Sequence, residues 1–153
     1  MRTSYKILIR LATWLQPVVL LLIRIVCGLA ISLAGFGKFT HIDQVALFFE
    51  NLAIPFPLAN AYLVGTIELA GGMLLIVGLA TRLAALLLTV VLLTAYFTAH
   101  YEVVVNLFVD PASFISAAPF LFLYSTLIVF AFGPGLFSLD AGIKRYLDEW
   151  TAS

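Results

Sequence analysis

The stretch PVVLLLIRIVCGLAISLAGF, Pro17 to Phe36, decides the fold. It carries one charge, Arg24, in a run as long as the roughly 20 apolar residues that a helix needs to cross a bilayer core. It does not alternate apolar and polar residues, so it reads as a helix and not as a barrel strand. Three further stretches of this kind follow, at about 60–79, 83–99 and 113–132. The last stops at Gly133-Pro134-Gly135, a strong helix terminator. A backbone in lipid must satisfy its own polar groups, which leaves helices as the solution here.

The whole composition agrees. Of 153 residues, 63% are hydrophobic and 10% charged, against about 25% charged in an average soluble domain. Mean hydropathy is +1.14. A soluble globular domain, a disordered chain and a nucleic-acid-binding surface are all excluded. The single cysteine, Cys27, leaves no intrachain disulfide, CxxC pair or cysteine-zinc cluster. The expected fold is all-α: one domain over residues 1–153, a polytopic four-helix membrane bundle with short amphipathic interfacial helices.

Charge sets the expected orientation. Arg2, Lys6 and Arg10 precede the first stretch, Arg82 joins the second to the third, and Lys144 and Arg145 follow the fourth. With four crossings these share one side, and the other side holds Lys38 among Asp43, Glu50, Glu102 and Asp110. Basic loops stay cytoplasmic, so both termini are expected on the cytoplasmic side. Arg24 interrupts the apolar run before Gly28-Leu29-Ala30, so residues 1–30 read as a retained span and not as a cleaved signal peptide.

Three segments fall outside the crossings. Ser4 to Gln16 reads as a helix on the inner surface, with Lys6 and Arg10 toward anionic lipid and Trp14 at the interface. Asp43 to Ala53 is a short amphipathic piece, and Ser138 to Trp150 a polar amphipathic tail.

Arg24 and Glu68 are the charges inside the crossings. Such residues normally face a partner or cavity, and they mark a candidate site. Counted from the inner ends, Arg24 lies roughly 10 Å deep and Glu68 roughly 16 Å. Arg24, Gly28 and Gly35 share one face, as do Ala61, Gly65, Glu68, Gly72 and Leu75. Small residues let membrane helices approach. The expectation is an Arg24–Glu68 contact, direct or through water. It either fixes helix packing or serves a polar cavity that carries protons or seats a quinone ring. Lys38, His41, Tyr96 and His100 are secondary candidates at the outer end. His41 and His100 could in principle ligate haem or metal, but single interfacial histidines are usually solvated, and no metal is expected. Tyr96, Tyr101 and Tyr124 read as an aromatic belt or as bundle packing. Arg82 is expected to be structural and topogenic, bonding the carbonyls that end the second crossing. Cys27 reads as a small packing residue.

Four blocks in order carry a family resemblance: Arg24…Gly28…Gly35-Phe36-Gly37-Lys38, FENLAIPFP at 49–57, ELAGGMLLIVGLATR at 68–82, and GPGLFSLD at 133–140. Together they resemble the DoxX family of small bacterial membrane proteins, over most of the chain. The resemblance implies a four-helix membrane bundle. It also implies a link to the membrane subunit of a thiosulfate:quinone oxidoreductase, or to membrane-associated redox and thiol-stress complexes. Arg24, Lys38, Glu68 and Arg82 match the family's recurrent polar positions. The chain has no flavin motif and no paired intramembrane histidines, so no intrinsic cofactor is expected. A quinone-linked subunit therefore needs a redox partner protein unless its substrate reduces quinone directly. The alternative is a non-enzymatic anchor, assembly factor or permeation bundle for protons or small molecules. The bilayer is the expected partner, nucleic acid is not, and a homo-oligomer stays open.

Overall fold

The computed structural model describes residues 2–152, and side chains within 5–151. The side chain of Arg2, one of the basic residues counted above, lies outside the described residues. Among the described residues the chain is helical with no strand: α1 Arg2–Thr40, α2 Ile42–Asn51, α3 Pro57–Val77, α4 Thr81–Ala99, α5 Tyr101–Val105, α6 Pro111–Ser116, α7 Pro119–Phe132 and α8 Leu139–Ala152. Among the described residues three helices, α1, α3 and α4, are long and apolar enough to cross a membrane.

Two elements differ from the sequence expectation. The surface helix and the first crossing form one continuous α1 of 39 residues, with Pro17 inside it. Proline removes one backbone bond, but the helical bonds on both sides carry the helix through. The fourth stretch is broken. It forms α6 and then α7, a helix of 14 residues. Ala117 is extended at ψ 138°, and Pro119 follows, which has no N–H to continue an incoming helix. Asp110 caps α6 by accepting from the Ser113 N–H.

Packing runs α1 on α3, α3 on α4, α4 on α7, and α7 back against α1. Glycine makes the α1–α3 contact close. A Cβ on Gly28 would lie 2.8 Å from the Gly72 carbonyl oxygen, and one on Gly35 would overlap the Leu69 backbone nitrogen. The core on this side gathers Ile31, Leu75, Ala84, Ala85, Leu88 and Val129. A second cluster, Leu92, Tyr96 and Leu123, closes the other end of α4 and α7. Within it Tyr96 stacks on Phe114, ring centroids 4.7 Å apart, and its hydroxyl donates to the Phe114 carbonyl at 3.0 Å. Tyr96 thus packs the bundle. Cys27 is buried, its thiol donating to Ser125 Oγ at 3.1 Å, as a packing residue would. Most other large apolar side chains are exposed, as expected of helices that meet lipid.

Candidate functional site

The structure separates Arg24 from Glu68. Arg24 is 1% exposed, but it sits at the end of α3 and not within its span. Its Nε donates to the Leu75 carbonyl at 2.9 Å and its Nη2 to the Ile76 carbonyl at 3.2 Å. Its Nη1 donates to the carbonyls of Pro134 and of Phe137, the latter at 3.0 Å. These carbonyls explain the choice of partner. The last turn of a helix leaves four C=O groups without intrahelical donors. Gly78 and Leu79 return their N–H groups to Leu74, and the guanidinium takes the next two carbonyls. Its rigid fork suits several acceptors at once. The expected Arg24–Glu68 pair is therefore corrected. So is the capping role given to Arg82, which Arg24 performs. Arg82 is exposed and lies along Gly133, where an added Cβ would meet its Nη2 at 3.3 Å.

Asp140 completes this knot from α8. Its Oδ1 accepts from the Ala80 N–H at 2.8 Å and its Oδ2 from the Thr81 N–H at 2.9 Å, so it caps α4 from 60 residues away. Its own N–H donates to the Gly78 carbonyl at 2.9 Å. Burial pushes its carboxyl up, but the N–H groups of Thr81 and Ala80 and the nearby Arg24 charge outweigh this and hold it below the ordinary aspartate value. Gly78 (φ +72°) and Ala80 (φ +45°) make the left-handed turn between α3 and α4. A Cβ on Gly78 would overlap the Arg24 guanidinium. Asp140 was not singled out from the sequence. The available signal was an acidic residue at the start of the tail helix that follows Gly-Pro-Gly.

Glu68 instead pairs with Lys38 from the last turn of α1. Their side chains are 12% and 24% exposed, so the pair is largely screened from solvent. It lines a cavity of about 450 Å³ between the N-terminal half of α3 and the C-terminal half of α4, with Phe48, Phe49 and Leu52 contributed from α2 and the residue after it. His100 lines the same cavity, its ring centroid 6.0 Å from that of Tyr96. Of the predicted site residues, the structure thus brings Lys38, Glu68 and His100 together, with Tyr96 behind His100. His41 stays apart. Its Nδ1 lies 2.8 Å from Thr40 Oγ1 and 3.3 Å from the Gly37 carbonyl, both in the adjoining end of α1. Among the described residues, no group of three or more His, Cys, Asp or Glu side chains could hold a metal ion.

Comparison with known proteins supplies the context for this geometry. "Putative oxidoreductase CatD" of Bacillus subtilis is 35% identical over 78 residues, which is 51% of this chain. The chain spans 57% of the length of CatD. An uncharacterized protein of Haemophilus influenzae is 35% identical over 127 residues, 82% of this chain and 90% of that one. No solved structure matches. The DoxX family model matches residues 19–101, from the first crossing through α4. With its long apolar helices and that match, this is a membrane protein, and the chain belongs to the DoxX family.

Proposed function

We propose that this chain is the membrane subunit of a quinone-linked oxidoreductase and seats a quinone head at the Lys38–Glu68 end of its cavity. The observation that carries this reading is a cavity of about 450 Å³ whose mostly apolar wall ends on an ion pair. Small-molecule sites commonly enclose about 300–1,000 Å³ and combine apolar walls with a few polar groups. Lys38 can donate to a quinone carbonyl oxygen and favour the negative charge that grows there as electrons arrive. Glu68 holds the ammonium in place and offers a carboxylate that can exchange a proton. Reduction to the quinol takes two electrons and two protons. The electrons come from a partner protein or a soluble donor, since the sequence carries no CxxC pair or flavin motif. The oxidoreductase name given to CatD supports the redox class. Arg24, whose donors are spent on carbonyls, leaves the proposed quinone site.

The same reading takes α7 as the fourth member of the bundle, with α6 completing the crossing that 14 residues cannot make alone. Both termini lie in the cytoplasm of a bacterial inner membrane. This is supported by Arg82 and Lys144 meeting at one end of the molecule, with the cavity and Lys38 toward the other.

A second reading has one observation in its favour: Lys38 and Glu68 already neutralise each other, as in a purely structural pair of an anchor or assembly factor. Two measurements on the purified protein separate them. Organic extraction should recover quinone in stoichiometric amount, and added thiosulfate with a redox partner present should change the quinone absorbance. Absence of both supports the non-enzymatic reading.

A further inference from the structure

The wall of the cavity restricts what kind of quinone fits and how it arrives. The inner halves of α3 and α4 are closed against each other: Leu75, Ala84, Ala85 and Leu88 pack in one cluster, and a Cβ on Gly71 would lie 3.0 Å from Leu88 Cγ. Their outer halves face each other across Leu63 and Val64 on α3 and the smaller Thr94, Ala95 and Thr98 on α4, which leaves a groove. Leu63 and Val90 line it while remaining 55% and 54% exposed, and Thr94 is exposed too. Val90 is nine residues from the end of α4, roughly 14 Å along the helix. The groove therefore opens sideways at mid-helix, where a membrane protein meets acyl chains.

The two threonines do not make that opening polar. Thr94 Oγ1 donates to the Val90 carbonyl at 2.9 Å and Thr98 Oγ1 to the Thr94 carbonyl at 2.8 Å. Each hydroxyl proton is committed to its own helix, as is common for threonine in membrane helices. Asn60 at the rim likewise donates to the Pro55 carbonyl. The charged pair thus lies at the deep end of a wall dominated by hydrocarbon.

We infer that the ligand is a quinone with an apolar side chain that enters sideways from the bilayer, between α3 and α4. Its head reaches Lys38–Glu68, and its chain lies along Val90, Thr94, Ala95 and Thr98. This rests on the quinone reading and adds the route and the tailed class of ligand.

Two probes test it: a benzoquinone bearing a decyl chain and the same ring bearing a methyl group. Each is titrated against the purified protein at one fixed detergent concentration, so that micelle partitioning cancels between variants. The wild type should bind the decyl compound about tenfold or more tightly than the methyl compound. Ala95→Phe narrows the groove, and Val90→Trp does so from an exposed position that tolerates a larger side chain. Both should bring the ratio toward one, while a control substitution at exposed Leu86 on α4, outside the groove, should leave it at the wild-type value. A wild-type ratio near one, or a ratio unchanged in both groove variants, overturns the side-entry inference and leaves the quinone site standing. Failure of the wild type to bind either probe overturns the quinone reading, and this inference with it.

Discussion

Lys38 and Glu68 bridge α1 and α3 while both line the α3–α4 groove, so the Glu68 charge is neutralised by a side chain from the neighbouring helix. Arg24 is held in a different way: its guanidinium donates to backbone carbonyls at the opposite end of the same helix pair, with the Asp140 carboxylate nearby. The two charges that the sequence marks as one pair are two separate devices.

This separation predicts how charge deletions combine. Lys38→Met or Glu68→Gln alone should destabilise the detergent-solubilised protein by about 3 kcal/mol, because each leaves a screened partner without its counterpart. The double variant should cost less than the sum, with a coupling of about 1 kcal/mol. Arg24→Met combined with Glu68→Gln should be additive, since they share no partner. Thermal unfolding of the wild type, the three single variants and the two double variants checks this, and strong coupling in the Arg24 combination would contradict the geometry.

Arg24→Lys should not rescue the knot. A single ammonium cannot reach the carbonyls of Leu75, Ile76, Pro134 and Phe137 together. The expected loss is about 3 kcal/mol or more. Limited proteolysis should show the 133–140 segment released before the rest of the chain. A lysine variant as stable as wild type would show that charge alone suffices there.

Glycine substitutions on α1 should split sharply. Gly35→Ala places a methyl into the α3 backbone at Leu69 and should cost about 1–3 kcal/mol. Gly37→Ala meets nothing within 4 Å and should be neutral or stabilise by about 0.5 kcal/mol. Unfolding temperatures of the two proteins, measured side by side, check the α1–α3 register.

Asp140 makes the end of the bundle sensitive to acid. Its carboxyl is held below the ordinary aspartate value, so the folded state favours the ionised form. That contribution is complete above the unfolded value of about 3.9 and is lost as pH falls through the lower folded value. Asp140→Asn should cost about 1 kcal/mol at neutral pH, as loss of a helix cap does. It should also flatten the fall in unfolding temperature below about pH 4. An equal acid-side fall in wild type and variant would place the titrating group elsewhere.

Much of the fold was legible because lipid imposes one rule on every residue of a crossing. The run from Pro17 to Phe36 and those of α3 and α4 declare themselves by length and apolarity alone. Pro119 and the break before it were harder to read, because alanine at 117 and 118 gives no polar signal of a bend. The candidate site was legible residue by residue but not as pairs. Facing charges on neighbouring helices suggest a salt bridge, yet an arginine near a helix end can be satisfied by free carbonyls that no sequence pattern displays. Lys38 then becomes the natural partner of Glu68, because its long stem can turn back from the end of α1. The Asp140 cap was invisible for a related reason: its acceptors serve N–H groups about 60 residues away.

Photolabelling tests the central claim most directly. The purified protein is illuminated with an azido-quinone, digested, and mapped by mass spectrometry, with and without excess unlabelled quinone. The account predicts adducts on residues 63–68 of α3 and 90–99 of α4, removed by the competitor and strongly reduced in the Lys38→Met, Glu68→Gln double variant. Adducts that resist competition, or that concentrate around Arg24 and the 133–140 segment, would contradict it.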